Sequence, residues 1–207
     1  WQDPVEPYFA FRGTEVAGKT GGVLGLGATG IEVARRFRAL GMHVLAHDPY
    51  VSPGKAARLG AKLVDLDTLL AESDVLSIHA PLTPQTEGLL NSERLARMKP
   101  TAYLVNTAAS GIVDEGALVQ ALRQRRIAGA ALDVHAAAPL PPTSPFLELD
   151  NVVLTPHIGG ATPETVARHS RMIVEDIERF LDGRRPVRLA NPEAWRRNAR
   201  GKVRPRP

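Results

Sequence analysis

The chain has 207 residues, of which 43% are hydrophobic, and this is enough for one large domain with a packed core. It has no cysteine, which excludes disulfides and thiolate zinc sites. It also has no apolar run long enough to span a membrane and no signal-peptide pattern. We therefore expect a cytoplasmic location. The net charge is +4, but the segment after Ala190 carries +5 and the first 190 residues sum to −1, which argues against a nucleic-acid-binding domain.

The beginning of the chain shows no sustained hydrophobic period. Residues 1–20 are rich in proline and aromatic side chains, and we interpret them as an arm or linker that leads into a domain over 21–190. From Gly21 onward, short apolar runs alternate with helical patterns. In chain order we predict strands at 22–24, 43–47, 61–64 and 74–79, with helices at 31–40 and 52–59 and an acid-capped helical turn at 67–71.

The same alternation continues in the second half. We predict helices at 92–98, 114–125 and 162–181 and strands at 102–106, 128–134 and 152–154. The strands are apolar throughout, as expected when helices cover both faces of a sheet. The pattern therefore predicts a doubly wound parallel α/β sheet of the Rossmann type. We interpret 191–207 as a basic, disordered tail, the alternative being a nucleic-acid contact.

A glycine-rich motif, GLGATG, begins at Gly25 between the first predicted strand and the first predicted helix. Gly25 permits a tight turn, Gly27 lets a pyrophosphate approach the backbone, and Gly30 lets the helix pack on the strand. The amides of Ala28 and Thr29 would face the phosphates at the helix N-terminus. The alternative is a glycine-rich turn that binds nothing, but the strand before and the helix after favour a dinucleotide site.

Asp48 follows the second predicted strand, about twenty residues after the motif. A carboxylate there would accept hydrogen bonds from the adenosine ribose and repel a 2′-phosphate, so NAD is favoured over NADP. The nicotinamide would lie at the carboxyl ends of later strands, near Asn106, Thr107, Asp133 and the loop after Leu154. The spacing of the histidines fits no metal site.

Five segments carry a resemblance to a known family: GKTGGVLGLGATG, HAPLTPQTEGLL, MKPTAYLVNTA with VDEGAL, AGAALDV and DNVVLTPHIGGAT. From about Gly18 to Asn191 the chain resembles the NAD-binding domain of the D-isomer-specific 2-hydroxyacid dehydrogenases, which include D-3-phosphoglycerate dehydrogenases. The resemblance implies an oxidoreductase that moves a hydride between NAD(H) and a small 2-hydroxy or 2-oxo acid. It also implies a homodimer through the cofactor domain, and the apolar stretch 8–11 is a candidate for its interface.

The resemblance also assigns roles to single residues. His157 matches the acid/base that exchanges a proton with the substrate hydroxyl, although as a single histidine it is also compatible with a solvated loop residue. Asp133 matches the acid that holds the carboxamide. His79 and Pro81 match residues that line the cofactor. The remaining positions implied to contact the cofactor are Asn106, Thr107, Ala108, Ala109, Gly159 and Gly160.

Two family residues are missing. Ala109 stands where the family has the arginine that grips the substrate carboxylate, and Ala138 stands where it has the glutamate that pairs with the histidine. His135 is a candidate to compensate in part. The resemblance also implies a substrate domain built mostly from a segment that precedes the cofactor domain, and we expect most of it to be missing, since only residues 1–20 come before that domain here. We expect impaired catalysis; the alternatives are an inactive NAD(H)-binding module, acting as a sensor or partner subunit, and a fragment of a longer protein.

Overall fold

The structure, a computed structural model, describes residues 5–193 and 195. The chain divides after Gly159 into two compact units. The first unit contains a seven-stranded sheet in which every neighbouring pair of strands is parallel. Its strands are β1 (Thr20–Leu24), β2 (His43–His47), β3 (Ala61–Leu63), β4 (Val75–Ile78), β5 (Tyr103–Asn106), β6 (Gly129–Leu132) and β7 (Val152–Leu154).

The strand order is β3-β2-β1-β4-β5-β6-β7, so the chain starts in the middle of the sheet and builds outward in both directions. This order confirms the predicted doubly wound Rossmann sheet. The helices are α1 (Glu6–Phe11), α2 (Ala28–Ala39), α3 (Pro53–Arg58), α4 (Leu66–Glu72), α5 (Ser92–Leu95), α6 (Glu115–Arg123) and α7 (Pro163–Leu181). Two 3₁₀ helices lie at Ser110–Ile112 and Pro145–Glu148.

Three predicted elements differ from the structure in instructive ways. The arm contains α1, which at six residues is too short to show a hydrophobic period. Helix α4 is capped by Asp65, whose Oδ1 accepts from the Thr68 amide at 2.7 Å, and not by Asp67. Helix α5 ends at Leu95 because the following turn is closed by i→i+3 bonds, including Met98 N to Leu95 O at 3.2 Å.

The core has two parts, one on each face of the sheet. Adjacent residues of one strand serve opposite parts: Leu24 belongs to a large cluster of mainly leucine and isoleucine, and Val23 to a smaller cluster. The smaller cluster is made mostly of alanine and valine and lies against α2 and α3. Both faces of β1 are therefore covered, which explains its uninterrupted apolar sequence.

The second unit is built around α7, whose N-terminus is capped by Thr162 Oγ1, 3.1 Å from the Thr165 amide nitrogen. Arg188 folds the following segment back onto this helix, donating to the Met172 carbonyl and to the carboxylates of Glu175 and Asp176. None of the residues of α7 is buried. Within the described residues, no helix is long and apolar enough to cross a membrane.

Candidate functional site

The glycine-rich turn after β1 requires two of its glycines. Gly25 has φ +94°, and a Cβ there would lie 2.7 Å from the Ala80 amide nitrogen. A Cβ on Gly30 would overlap the carbonyl oxygen of Gly25, so a larger residue would push α2 away from the turn. Gly27 is the N-cap of α2, makes no side-chain cap and has open space beside it. The first-turn amides, including those of Ala28 and Thr29, are therefore free to bind an anion.

Asp48 is held beside this turn. Its Oδ2 accepts from the Leu26 amide and its Oδ1 from the Tyr50 amide, both at 2.8 Å. The side chain is half-buried, and each carboxylate oxygen retains a further acceptor position. Two vicinal hydroxyls, as in a ribose, match this pair of oxygens. The turn, the helix amides and Asp48 together fit the adenosine half of a dinucleotide.

His79 follows β4 at the same edge of the sheet. Its Nε2 lies 2.8 Å from Ser77 Oγ, and burial lowers the pKa of the imidazole, which favours the neutral ring. Its backbone amide donates to the Leu24 carbonyl at 2.7 Å. Pro81 follows two residues later and is exposed. A neutral imidazole next to the central strands is suited to line an uncharged ring.

Asn106, the last residue of β5, is 1% exposed and shapes the next loop. Its Nδ2 donates to the Ala109 carbonyl at 2.9 Å, and its Oδ1 accepts from the Ala108 amide at 3.0 Å. Thr107, between them, is exposed. The side chain of Asn106 is thus engaged within the loop, and we expect it to act by holding Thr107, Ala108 and Ala109 in place.

Asp133, just after β6, holds the loop that carries His157. The buried carboxylate accepts from Thr155 Oγ1 at 2.5 Å and from the Ile158 and Gly159 amides, both at 2.9 Å. The Thr155 hydroxyl, with the two amides, lowers the pKa of Asp133. Sequence reasoning assigned Asp133 to the carboxamide and missed this role, because the partners lie more than twenty residues away.

His157 lies inside the loop that Asp133 holds. It has φ +57°, the left-handed region, and its side chain is exposed. A non-glycine residue is kept in this conformation only where its surroundings determine it, and the hydrogen bonds on both sides of His157 do so here. The loop therefore presents the imidazole to the carboxyl edge of the sheet.

A pocket of about 560 Å³ lies beside this histidine. Ala109, Ala138 and His157 all line it, so the two alanines predicted to replace charged residues lie in the same pocket as the candidate acid/base. His135 lines it too, and its Nε2 donates to the Thr155 carbonyl at 3.0 Å. The sequence offered a weak signal for His135, namely its place three residues before Ala138.

The predicted site residues thus gather at one edge of the first unit. The glycine turn, Asp48, His79, the loop after Asn106, Asp133 and the loop up to Gly159 all follow the carboxyl ends of parallel strands. Gly160 is the first residue of the second unit, and its contact with a cofactor stays a prediction. Among residues 5–193 and 195, no three His, Asp or Glu side chains form a group that could hold a metal ion.

Replacing Asp133 with asparagine should loosen the loop around His157. We expect amide hydrogen exchange at Ile158 and Gly159 to accelerate about ten-fold, since two charge-assisted hydrogen bonds become neutral or are lost. Because the pKa of Asp133 is lowered in the folded protein, its hold is complete above the ordinary aspartate value of about 4 and fades as the pH falls below it. The exchange rates of the two proteins should therefore converge only as the pH falls through this lowered pKa.

The matched control for that variant is Asp182→Asn, which alters an exposed carboxylate paired with Arg184 in the second unit. It should leave the exchange of both loop amides unchanged. Equal protection of Ile158 and Gly159 in Asp133→Asn and the parent protein at neutral pH would contradict the assigned role.

Comparison with known proteins places these features in context. Residues 2–159 match the family described as D-isomer specific 2-hydroxyacid dehydrogenase, NAD binding domain. The chain is 49% identical over 180 residues to a D-3-phosphoglycerate dehydrogenase of Archaeoglobus fulgidus, covering 87% of this chain and 34% of that one. It is 44% identical over 200 residues to a glyoxylate reductase of Thermofilum pendens, covering 93% and 57% respectively.

A solved structure shares the fold. The D-lactate dehydrogenase of Lactobacillus jensenii, crystallised with NAD⁺, superposes with a TM-score of 0.80 at 31% identity, covering 88% of this chain and 58% of that one. The chain therefore spans about a third to three fifths of the length of these relatives.

Proposed function

The chain belongs to the D-isomer-specific 2-hydroxyacid dehydrogenase family as an NAD-binding domain, and from that premise we propose that it binds NAD(H). We further propose that it transfers a hydride to or from a small 2-oxo or 2-hydroxy acid with impaired efficiency. One observation carries the proposal: the α2 N-terminus, the Asp48 carboxylate and the His157 imidazole all lie after strand ends at one edge of a single sheet. That arrangement suits a dinucleotide whose reactive ring points toward a proton donor.

The roles of the chain's own residues follow from their contacts. The free amides at the start of α2 would hold the pyrophosphate, and Asp48 would hold the adenosine ribose. Bound NAD(H) supplies the hydride donor or acceptor. His157, in the loop held by Asp133, would give a proton to the substrate oxygen during reduction and remove it during oxidation.

The impairment has a physical reason. A guanidinium beside a substrate carboxylate makes a bidentate, charge-assisted contact, and Ala109 offers none. Losing such a contact costs about 2–4 kcal/mol in the transition state, roughly one and a half to three decades of rate. Ala138 likewise offers no carboxylate to orient the His157 ring.

A second candidate function is an NAD(H)-binding module without turnover, acting as a sensor or partner subunit. It is favoured by the two alanines lining one pocket beside His157, since together they remove both charged groups. The two candidates separate in one experiment: titrate the chain with NADH by fluorescence, then measure NADH oxidation with pyruvate, glyoxylate and hydroxypyruvate. Binding with turnover supports the dehydrogenase, and binding without turnover supports the module.

Replacing Asp48 with asparagine tests the cofactor site. We expect the NADH dissociation constant to rise about ten-fold, because a neutral amide has one acceptor oxygen and both carboxylate oxygens already serve backbone amides. The preference for NADH over NADPH should narrow, because the charge that repels a 2′-phosphate is gone. Both constants come from fluorescence titration, with Asp150→Asn, an exposed partner of Arg125, as the control. Unchanged affinity in Asp48→Asn would contradict this assignment.

We also propose a homodimer through the cofactor domain. Helix α1 leaves Tyr8 and Phe9 68% and 61% exposed, with Val5 at 52% beside them, and an apolar patch of this kind suits a subunit contact. Sedimentation equilibrium should give twice the chain mass of 22.3 kDa. A mass of one chain at micromolar concentration would refute the dimer, and Tyr8→Asp should shift a true dimer toward that mass.

A further inference from the structure

The pocket beside His157 has an unusual chemical lining for a site that would receive an acid. Nine of its thirteen lining residues are apolar, and the other four are Ser110, His135, Thr155 and His157. Arginine, lysine, aspartate and glutamate are absent from the lining within the described residues. A substrate carboxylate entering this pocket would lose water and gain no permanent positive charge.

Two carboxylates bond to the backbone of segments that line the pocket. Asp133 lies under the His157 loop, with its carboxylate bound to the Ile158 and Gly159 amides. Glu115 Oε1 accepts from the amide of Ala136, the residue after the pocket-lining His135, at 2.8 Å. Both carboxylates thus bond to residues next to the pocket lining, and neither supplies the positive charge that an anion in the pocket would need.

His135 is the second imidazole that lines the pocket. Its Nε2 donates to the Thr155 carbonyl, so the neutral ring carries its hydrogen there and presents a lone pair at Nδ1. That Nδ1 is buried and has no hydrogen-bond partner in the described part of the chain. A lone pair there repels a charged carboxylate more strongly than an uncharged carbonyl oxygen.

We propose that this pocket takes an uncharged carbonyl compound with an apolar substituent, a ketone or 2-oxo ester, in preference to a 2-oxo acid. The apolar substituent packs against Ala109, Ala138 and the neighbouring leucines, where the family places its charged pair. This inference rests on the proposed NAD(H)-dependent function. In the reaction, the carbonyl carbon receives a hydride from NADH and the carbonyl oxygen a proton from His157, so that the alcohol and NAD⁺ are formed.

The test uses two ligands that differ in charge: 2-oxo-4-phenylbutanoate and its ethyl ester. The full 207-residue chain is loaded with NADH, each ligand's dissociation constant is read from the change in NADH fluorescence, and kcat/KM is measured for both. We expect the ester to bind about ten-fold more tightly than the acid. The kcat/KM ratio should favour the ester by a similar factor.

The Ala109→Arg variant shows whether charge is the cause, because it should reverse the order and make the acid the tighter ligand by about ten-fold. Gln124→Arg, which adds the same charge at the exposed end of α6, should keep the preference for the ester. If the parent chain binds NADH but binds the acid and the ester equally well, or prefers the acid, the inference is overturned and the proposed function stands. A chain that fails to bind NADH overturns both. A preference for the ester that persists in Ala109→Arg also overturns the inference.

Discussion

His157→Asn should lower the rate of NADH-dependent 2-oxo acid reduction by about two to four decades, while the NADH dissociation constant stays within about two-fold. The imidazole is the one proton-exchanging side chain in the loop held by Asp133, and general acid–base catalysis contributes about this much to rates. Asparagine is the informative replacement, because it tolerates the left-handed backbone that His157 adopts at φ +57°. Alanine would add backbone strain to the loss of chemistry.

The measurement is single-turnover oxidation of NADH at a fixed concentration of pyruvate, with NADH affinity titrated in parallel. His43→Asn is the matched control, since His43 is exposed at the amino end of β2, away from the carboxyl edge. It should turn over like the parent chain. If His157→Asn also did so, the proton would come from another group, and His135 would be the next residue to replace.

The double variant Ala109→Arg/Ala138→Glu should raise kcat/KM for a small 2-oxo acid by about two to three decades. The arginine would pair with the substrate carboxylate, and the glutamate would orient the His157 ring, on the wall where both alanines lie. Each single variant should raise log kcat/KM by less than half of the increase seen in the double variant, because residues that act on one reacting centre are coupled.

The control for the double variant adds the same charges outside the pocket. Gln124→Arg/Ala137→Glu changes two exposed positions, and Ala137 lies next to Ala138 without lining the pocket. It should leave kcat/KM unchanged. A double variant that gains nothing, although it still binds NADH, would favour the module without turnover over the impaired dehydrogenase.

The sequence predicted the fold well, because the signals that define it are local. Every predicted strand from 22–24 to 152–154 corresponds to a strand of the sheet, since apolar runs of this length between helical patterns have few other interpretations. The cap of α6 was visible in the same way, as Asp114 precedes the first apolar turn and accepts from the Ala117 amide at 2.9 Å.

The sequence names the members of the candidate site, whose roles stay predictions, and it does not show the contacts between them. The motifs identified Asn106 and Asp133, yet the structure shows that each holds a loop through its side chain. Glu115 is the first residue of α6, and the structure shows that it also accepts from the Ala136 amide, twenty-one residues away. Hydrogen bonds between distant segments leave no period in a sequence, so they emerge only once the strands are placed side by side.

The unequal composition of the two faces of the sheet sets how each half of this domain tolerates change. On the α2 side the core consists mainly of small side chains, and Ala34, Ala46 and Ala56 are fully buried. The helices therefore lie close to the strands, and an added methylene has no room. Enlarging Ala34, which lies on α2 itself, would lift this helix and carry its first-turn amides out of reach of a phosphate. The leucine-rich side contains interchangeable large groups that can repack. Directed evolution of this scaffold should therefore recover many neutral variants from the leucine layer and almost none from the alanine layer. Substitutions in the alanine layer should weaken dinucleotide binding before they lower the thermal stability.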